Sequence, residues 1–192
     1  MRKVIFANGE YYHIYNRGVD KRKIFLGAGD YRRFLKSIRE FNDSRPAWKV
    51  CDLSSRGLAS TEDSVEPFID IVAYCLNPNH YHFIVRQLRE NGISEFMLKL
   101  GTGYTMYFNK KYDRSGVLFQ GTFKAVHIDS NEYLLYLSAY VNENNFIHGH
   151  NPFSKWQFSS TNEYLGKSKE RLCSTKNILE QFDNKKESYL KF

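Results

Sequence analysis

Two kinds of apolar pattern alternate along the chain. Stretches rich in aromatic and β-branched residues read as strands at 10–16 (EYYHIYN), 48–53, 68–76 and 80–85, and an irregular or bulged strand is predicted within 117–129. Apolar residues at three- and four-residue steps predict helices between them. One covers 31–41 from an N-cap at Asp30, with Tyr31, Phe34, Leu35, Ile38 and Phe41 on one face and Arg32, Arg33, Lys36 and Arg39 outside it. A second covers 94–112, where Gly101 and Gly103 either weaken the helix or mark close packing. A third, capped by Asp129 or Ser130, covers 131–144. The segment 54–66 is a Ser-rich loop. Beyond Asn151-Pro152 the pattern is more polar, with a short helix at 159–165 and a longer terminal one at 176–192 whose inner face holds Ile178, Leu179 and Phe182.

The candidate chemistry sits just after the Asn-Pro-Asn turn at 77–79. Side chains alternate along a strand, so His80 and His82 share a face with Cβ atoms about 6 to 7 Å apart, while Tyr81, Phe83 and Val85 take the other. Two imidazoles on one face can converge on a divalent cation. The spacing alone is weak evidence, because a chain with six histidines produces a His-x-His pair by chance often enough. In the third helix, Tyr133, Leu137, Tyr140 and Asn144 follow one stripe and set a phenol and an amide one turn apart. Periodicity by itself favours Tyr140 as a core aromatic with a satisfied hydroxyl.

Composition changes the picture in one respect. The 192 residues fit one domain and carry a formal charge of +7, with 16% aromatic residues. Cations attract phosphates and rings stack on unpaired bases, so the balance tilts toward nucleic acid. Lys21, Arg22 and Lys23 form a basic loop after the first strand, either solvated surface or phosphate contacts. Cys51, Cys75 and Cys173 are widely spaced and form no CxxC, which argues against a disulfide framework and a cysteine zinc site. No apolar run reaches membrane-spanning length and no signal peptide opens the chain, so the expectation is a cytoplasmic protein without a membrane partner.

Five stretches taken in order resemble the single-tyrosine HUH transposase family, most closely its REP-associated branch. They are YYHIYNRGVDKRKIF at 11–25, AYCLNPNHYHFIV at 73–85, YFN at 107–109, GVLFQGTFKA at 116–125 and YLSAYVNENN at 136–145. The resemblance implies an α+β fold, a ferredoxin-like antiparallel sheet with helices packed on one face. The catalytic domain would span 1–150, with a C-terminal helical extension at 151–192 on or beside it. His80 and His82 would bind Mg²⁺ or Mn²⁺, Asn144 would complete the metal shell, and Tyr140 would be the nucleophile. Where the family commonly has Asn-Pro, this chain has Asn144-Asn145. The implied activity is cleavage and rejoining of single-stranded hairpin DNA, from repetitive extragenic palindromes (REP), through a 5′-phosphotyrosine, by a monomer or a homodimer. Arg17, Lys21, Arg22, Lys23, Arg114 and Lys124 lie in or near the matching stretches and are candidate DNA contacts.

Two other functions compete. A non-catalytic nucleic-acid-binding module would display rings on a ferredoxin-like sheet, and Tyr140 together with both histidines argues against it. A replication initiator or relaxase would share the His pair, and the matches outside that pair favour the transposase branch.

Overall fold

The computed structural model describes residues 4–43, 66–149, 156–168 and 171–192. The strand expected at 48–53 and nearly all of the loop at 54–66 lie outside the described residues. Strands β1 (Tyr11–Arg17), β2 (Ile69–Asn77), β3 (His80–Gln87) and β4 (Lys124–Ile128) form one sheet in the order β2-β3-β1-β4. Every neighbouring pair is antiparallel. Helix α1 (Ala28–Phe41) links β1 to β2, and α2 (Gly92–Lys111) links β3 to β4. This split βαβ order is the ferredoxin-like arrangement.

Both faces of the sheet are covered. On one, Tyr12, Ile14, Ile71, Phe83 and Val85 pack with Phe34 and Ile38 of α1 and Phe96, Leu100 and Tyr104 of α2. On the other, Val72, Ala73, Cys75, Ile84 and Ile128 receive Leu134, Leu137 and Val141 of helix α3 (Asn131–Ile147). Burial on two sides explains why β2 is apolar without alternation from Ile71 to Leu76. Packing on one face thus describes α1 and α2, while α3 takes the face that carries the two histidines.

Three local expectations need correcting. Asp30 does not cap α1 from outside, because the helix starts two residues earlier at Ala28. Its buried carboxylate reaches back to the N–H groups of Leu26 and Gly27 at 2.8 and 3.2 Å, and also accepts from Tyr107, Lys111 and Tyr112. The strand expected within 117–129 is regular only over β4. The terminal helix is broken, with α5 (Lys176–Leu179) and a 3₁₀ turn (Glu180–Phe182) ending at Asp183 and Asn184, whose φ angles of 53° and 57° are left-handed. The chain resumes as α6 (Lys186–Lys191).

The rest of the extension packs on α3 and β2. Tyr164 of the short helix α4 (Thr161–Tyr164) donates its hydroxyl to Val72 O at 3.0 Å. Tyr189 Oη accepts from Asn142 Nδ2 at 2.8 Å and lies 3.2 Å from Ser138 Oγ.

Candidate active site

A two-residue turn, Pro78-Asn79, joins β2 to β3 and starts the strand at His80. Alternation then sends His80 and His82 to the α3 face and buries Tyr81 and Phe83 in the opposite core. In the register with β1, Arg17 stands opposite His80 and Tyr15 opposite His82, and β4 brings Lys124 beside Tyr15. Ser130 caps α3 by accepting the N–H of Tyr133 at 3.2 Å. Two to three turns on, that helix sets the Tyr140 ring 6.2 Å from the His82 ring, nearly perpendicular at 87°.

Hydrogen bonds settle how the histidines are presented. Asn79 donates its amide nitrogen to Lys21 O, which turns its Oδ1 toward His80 Nδ1 at 2.6 Å. An amide oxygen only accepts, so His80 carries its proton on Nδ1 and keeps a lone pair on Nε2. That nitrogen lies 3.0 Å from Asn77 Nδ2, and the same amide donates to Asn144 Oδ1 at 2.6 Å. Asn77 is held in this sense because its Oδ1 accepts from Asn145 Nδ2 at 2.9 Å. One polarised N–H₂ group therefore lies between two lone-pair donors. Asn144 Nδ2 is buried and has no hydrogen-bond partner among the described residues, a rare condition for a buried amide.

His82 Nδ1 is 2.8 Å from His13 Nε2. Burial, reinforced by His13, His80 and His148, pushes the His82 imidazole down to about 2. Burial alone lowers His13 to about 4. Both rings are neutral in ordinary buffers, which is the form that offers a lone pair to a cation. Beside them opens a cavity of about 310 Å³, lined among others by Tyr15, Arg17, His80, His82, Lys124 and His148. Among the described residues no three His, Cys, Asp or Glu side chains are grouped to hold a metal ion.

The structure brings His80, His82, Tyr140 and Asn144 together, with Arg17 and Lys124 beside them. The loop carrying Lys21, Arg22 and Lys23 is tied to the hairpin turn by Gly18 N–H to Asn79 O and Ile24 N–H to Pro78 O, and all three side chains are exposed at that end of the sheet. Arg114 is elsewhere, bonded to Asn109 Oδ1 at 2.8 Å near the end of α2 and over the Phe108 ring. Tyr104 and Tyr107 of α2 turn to the opposite core and donate to Ile24 O and Asp30 Oδ1.

Residues 62–144, which include both histidines, Tyr140 and Asn144, match the family model described as IS200-like transposase. The resemblance to the single-tyrosine transposases holds. A solved REP-associated tyrosine transposase bound to a REP hairpin is 16% identical, with 90% of this chain and 88% of that one covered at a TM-score of 0.60, so the two share a fold. A putative transposase from Deinococcus radiodurans is 12% identical over 79% of this chain and 98% of that one, at a TM-score of 0.41, too slight a likeness to carry weight. No curated protein matches.

Sequence reasoning did not single out His13, Asn77 or His148. His13 falls in the resembling stretch at 11–25 but outside the residues that the family model matches, and its place depends on the register of β1 against β3, which local periodicity does not encode. Asn77 reads as a turn residue. His148, whose ring lies 5.3 Å from that of His80, follows the end of α3 one turn beyond Asn144. A search for histidines at helical spacing from Asn144 would have found it.

Proposed function

We propose that this protein cleaves and rejoins single-stranded DNA through a covalent 5′-phosphotyrosine on Tyr140, with Mg²⁺ or Mn²⁺ held by His80, His82 and Asn144. The observation that carries the reading is the placement of Tyr140 against His82 on the histidine face, while Tyr104 and Tyr107 point into the other core. The donor set fits a small divalent cation. His80 Nε2 and Asn144 Oδ1 both turn lone pairs toward the Asn77 amide, whose place a cation would take as that amide rotates away, and His82 is neutral. Bound there, such a cation would neutralise charge on the scissile phosphate and orient it.

The chain's own residues do the rest. Arg17 and Lys124 flank the cavity and would hold the non-bridging phosphate oxygens. The Tyr140 oxygen attacks phosphorus and gives up its proton, a P–O bond forms to tyrosine, and the P–O3′ bond breaks to release a protonated 3′-hydroxyl. Attack by a 3′-hydroxyl on the phosphotyrosine reverses these steps, and no ATP is needed because the ester bond is conserved. A flexible single strand gives the phosphorus access that a stacked duplex denies. The REP hairpin bound in the similar solved structure motivates imperfect hairpins as the substrate class.

Incubation with end-labelled hairpin DNA and Mn²⁺, followed by a denaturing gel, tests this. The wild type is expected to give a covalent protein–DNA band, and Tyr140→Phe, which removes one oxygen and little volume, to give none while still binding the hairpin. An undiminished band from Tyr140→Phe would refute the assignment.

A further inference from the structure

We infer that His13 is a positioning residue for His82: its Nε2 accepts the Nδ1–H of His82 and so leaves the Nε2 lone pair of His82 facing the site. The inference rests on the metal reading above and adds a residue that the reading does not use. Two imidazole nitrogens 2.8 Å apart need one proton between them. If His82 donates it, its other nitrogen is a lone pair and can ligate. If His13 donates it, the proton of neutral His82 sits on Nε2 and the ligand is lost. A ligating imidazole usually donates its second N–H to a fixed acceptor. His80 has such an acceptor in Asn79 Oδ1 at 2.6 Å, and His13 is the one in place for His82.

Sheet register explains why His13 can reach. Tyr15 is directly opposite His82, and His13, two residues earlier on the same face, approaches it diagonally. The two imidazoles are nearly parallel at 19°, with centroids 5.1 Å apart. Tyr15 stacks on His82 at 5.7 Å, and Tyr140 stands across it at 87°. The rings of Tyr15 and Tyr140 limit where the imidazole lies. Among the described residues, His13 supplies the hydrogen bond that bears on which nitrogen carries the proton.

Two substitutions separate this role from packing. His13→Phe keeps an aromatic ring and removes the acceptor, whereas His13→Gln removes the ring and keeps an amide oxygen. A packing role ranks Phe above Gln, and a positioning role ranks Gln above Phe. In the metal-free, ¹⁵N-histidine-labelled protein, long-range ¹H–¹⁵N correlation reads the tautomer of His82 directly. The wild type is expected to show the Nδ1–H form and His13→Phe to lose it. Mn²⁺ affinity, followed by electron paramagnetic resonance, is expected to fall about 10- to 100-fold in His13→Phe and to stay near wild type in His13→Gln.

An Nε2–H tautomer in the wild type overturns the inference, and so does equal Mn²⁺ affinity of the wild type and His13→Phe. A wild type that binds no Mn²⁺ refutes the metal reading itself. Should His13→Phe fail to fold, the wild-type tautomer and the His13→Gln affinity still decide.

Discussion

His80 Nε2 and Asn144 Oδ1 meet across the amide of Asn77, so the imidazole and the helix amide act as a pair. Removing both imidazoles with His80→Ala and His82→Ala is expected to abolish divalent-dependent cleavage. Hairpin affinity should stay within a few-fold of wild type, because most of it comes from phosphate contacts elsewhere. A cleavage assay beside a gel-shift titration reads both, and cleavage at wild-type rate in the double variant would contradict the metal assignment. That His80 and His82 share a strand face and Tyr140 and Asn144 a helical stripe was legible in the sequence, because alternation and helical spacing are local; the roles proposed for them came from the resemblance, since periodicity alone reads Tyr140 as a core aromatic. His13 was not legible, because its partner is 69 positions away and is set by strand register. Arg114 looked equal to Arg17 as a basic residue in or near a matching stretch, and only the fold shows that it is bonded to Asn109 near the end of α2.

Helix α2 shows how a single element carries opposite constraints at neighbouring positions. A Cβ on Gly103 would come within 2.6 Å of the buried Phe41 ring, whereas one on Gly101 would meet nothing within 4 Å. Gly103→Ala is therefore expected to destabilise the protein by about 1–3 kcal/mol through overpacking. Gly101→Ala should stabilise it by about 0.5–1 kcal/mol, since glycine in a helix interior is unfavourable. Urea denaturation of the two variants checks the contrast, and equal effects would contradict the α1–α2 packing. Sequence had offered close packing as one of two readings of these glycines, and the structure assigns it to Gly103 alone. The break in the terminal helix was hidden for the opposite reason. Ile178, Leu179 and Phe182 keep helical spacing up to the residue before the left-handed Asp183-Asn184 pair, so periodicity runs straight into the turn.

At the scale of the whole molecule, α1, its neighbour α2 and the loop before α1 are tied through one buried carboxylate. Burial alone would raise Asp30, but hydrogen bonds from Lys111, Tyr112, the Leu26 N–H and Tyr107 outweigh it and hold the group below its ordinary 3.8. Because the folded value is the lower one, this contribution is complete above pH 3.8 and is lost as pH falls through the folded value. Asp30→Asn is expected to cost about 1–3 kcal/mol at neutral pH by weakening the hydrogen bonds that converge on the buried carboxylate, since the partly exposed Lys111 can be solvated, and to flatten the acid limb of the stability curve. Thermal melts from pH 3 to pH 7 read both effects, and an unchanged acid limb would contradict the assignment. The +7 charge acts over the surface as a whole. Several phosphate contacts each release a counterion, so hairpin affinity should fall steeply, by at least tenfold, between about 50 and 200 mM salt. A flat response would count against a DNA-processing role.

The central claim is that Tyr140 is the nucleophile, and peptide mapping of the covalent adduct tests it most directly. The wild-type protein would be trapped on hairpin DNA with Mn²⁺, digested with nuclease and protease, and sequenced by mass spectrometry. The account expects the residual nucleotide on Tyr140. Tyr15, unlike Tyr140, lines the cavity and stands opposite His82, so it is the rival that the geometry leaves within reach. A nucleotide on Tyr15, or on Tyr104 or Tyr107 from the opposite core, would contradict the account.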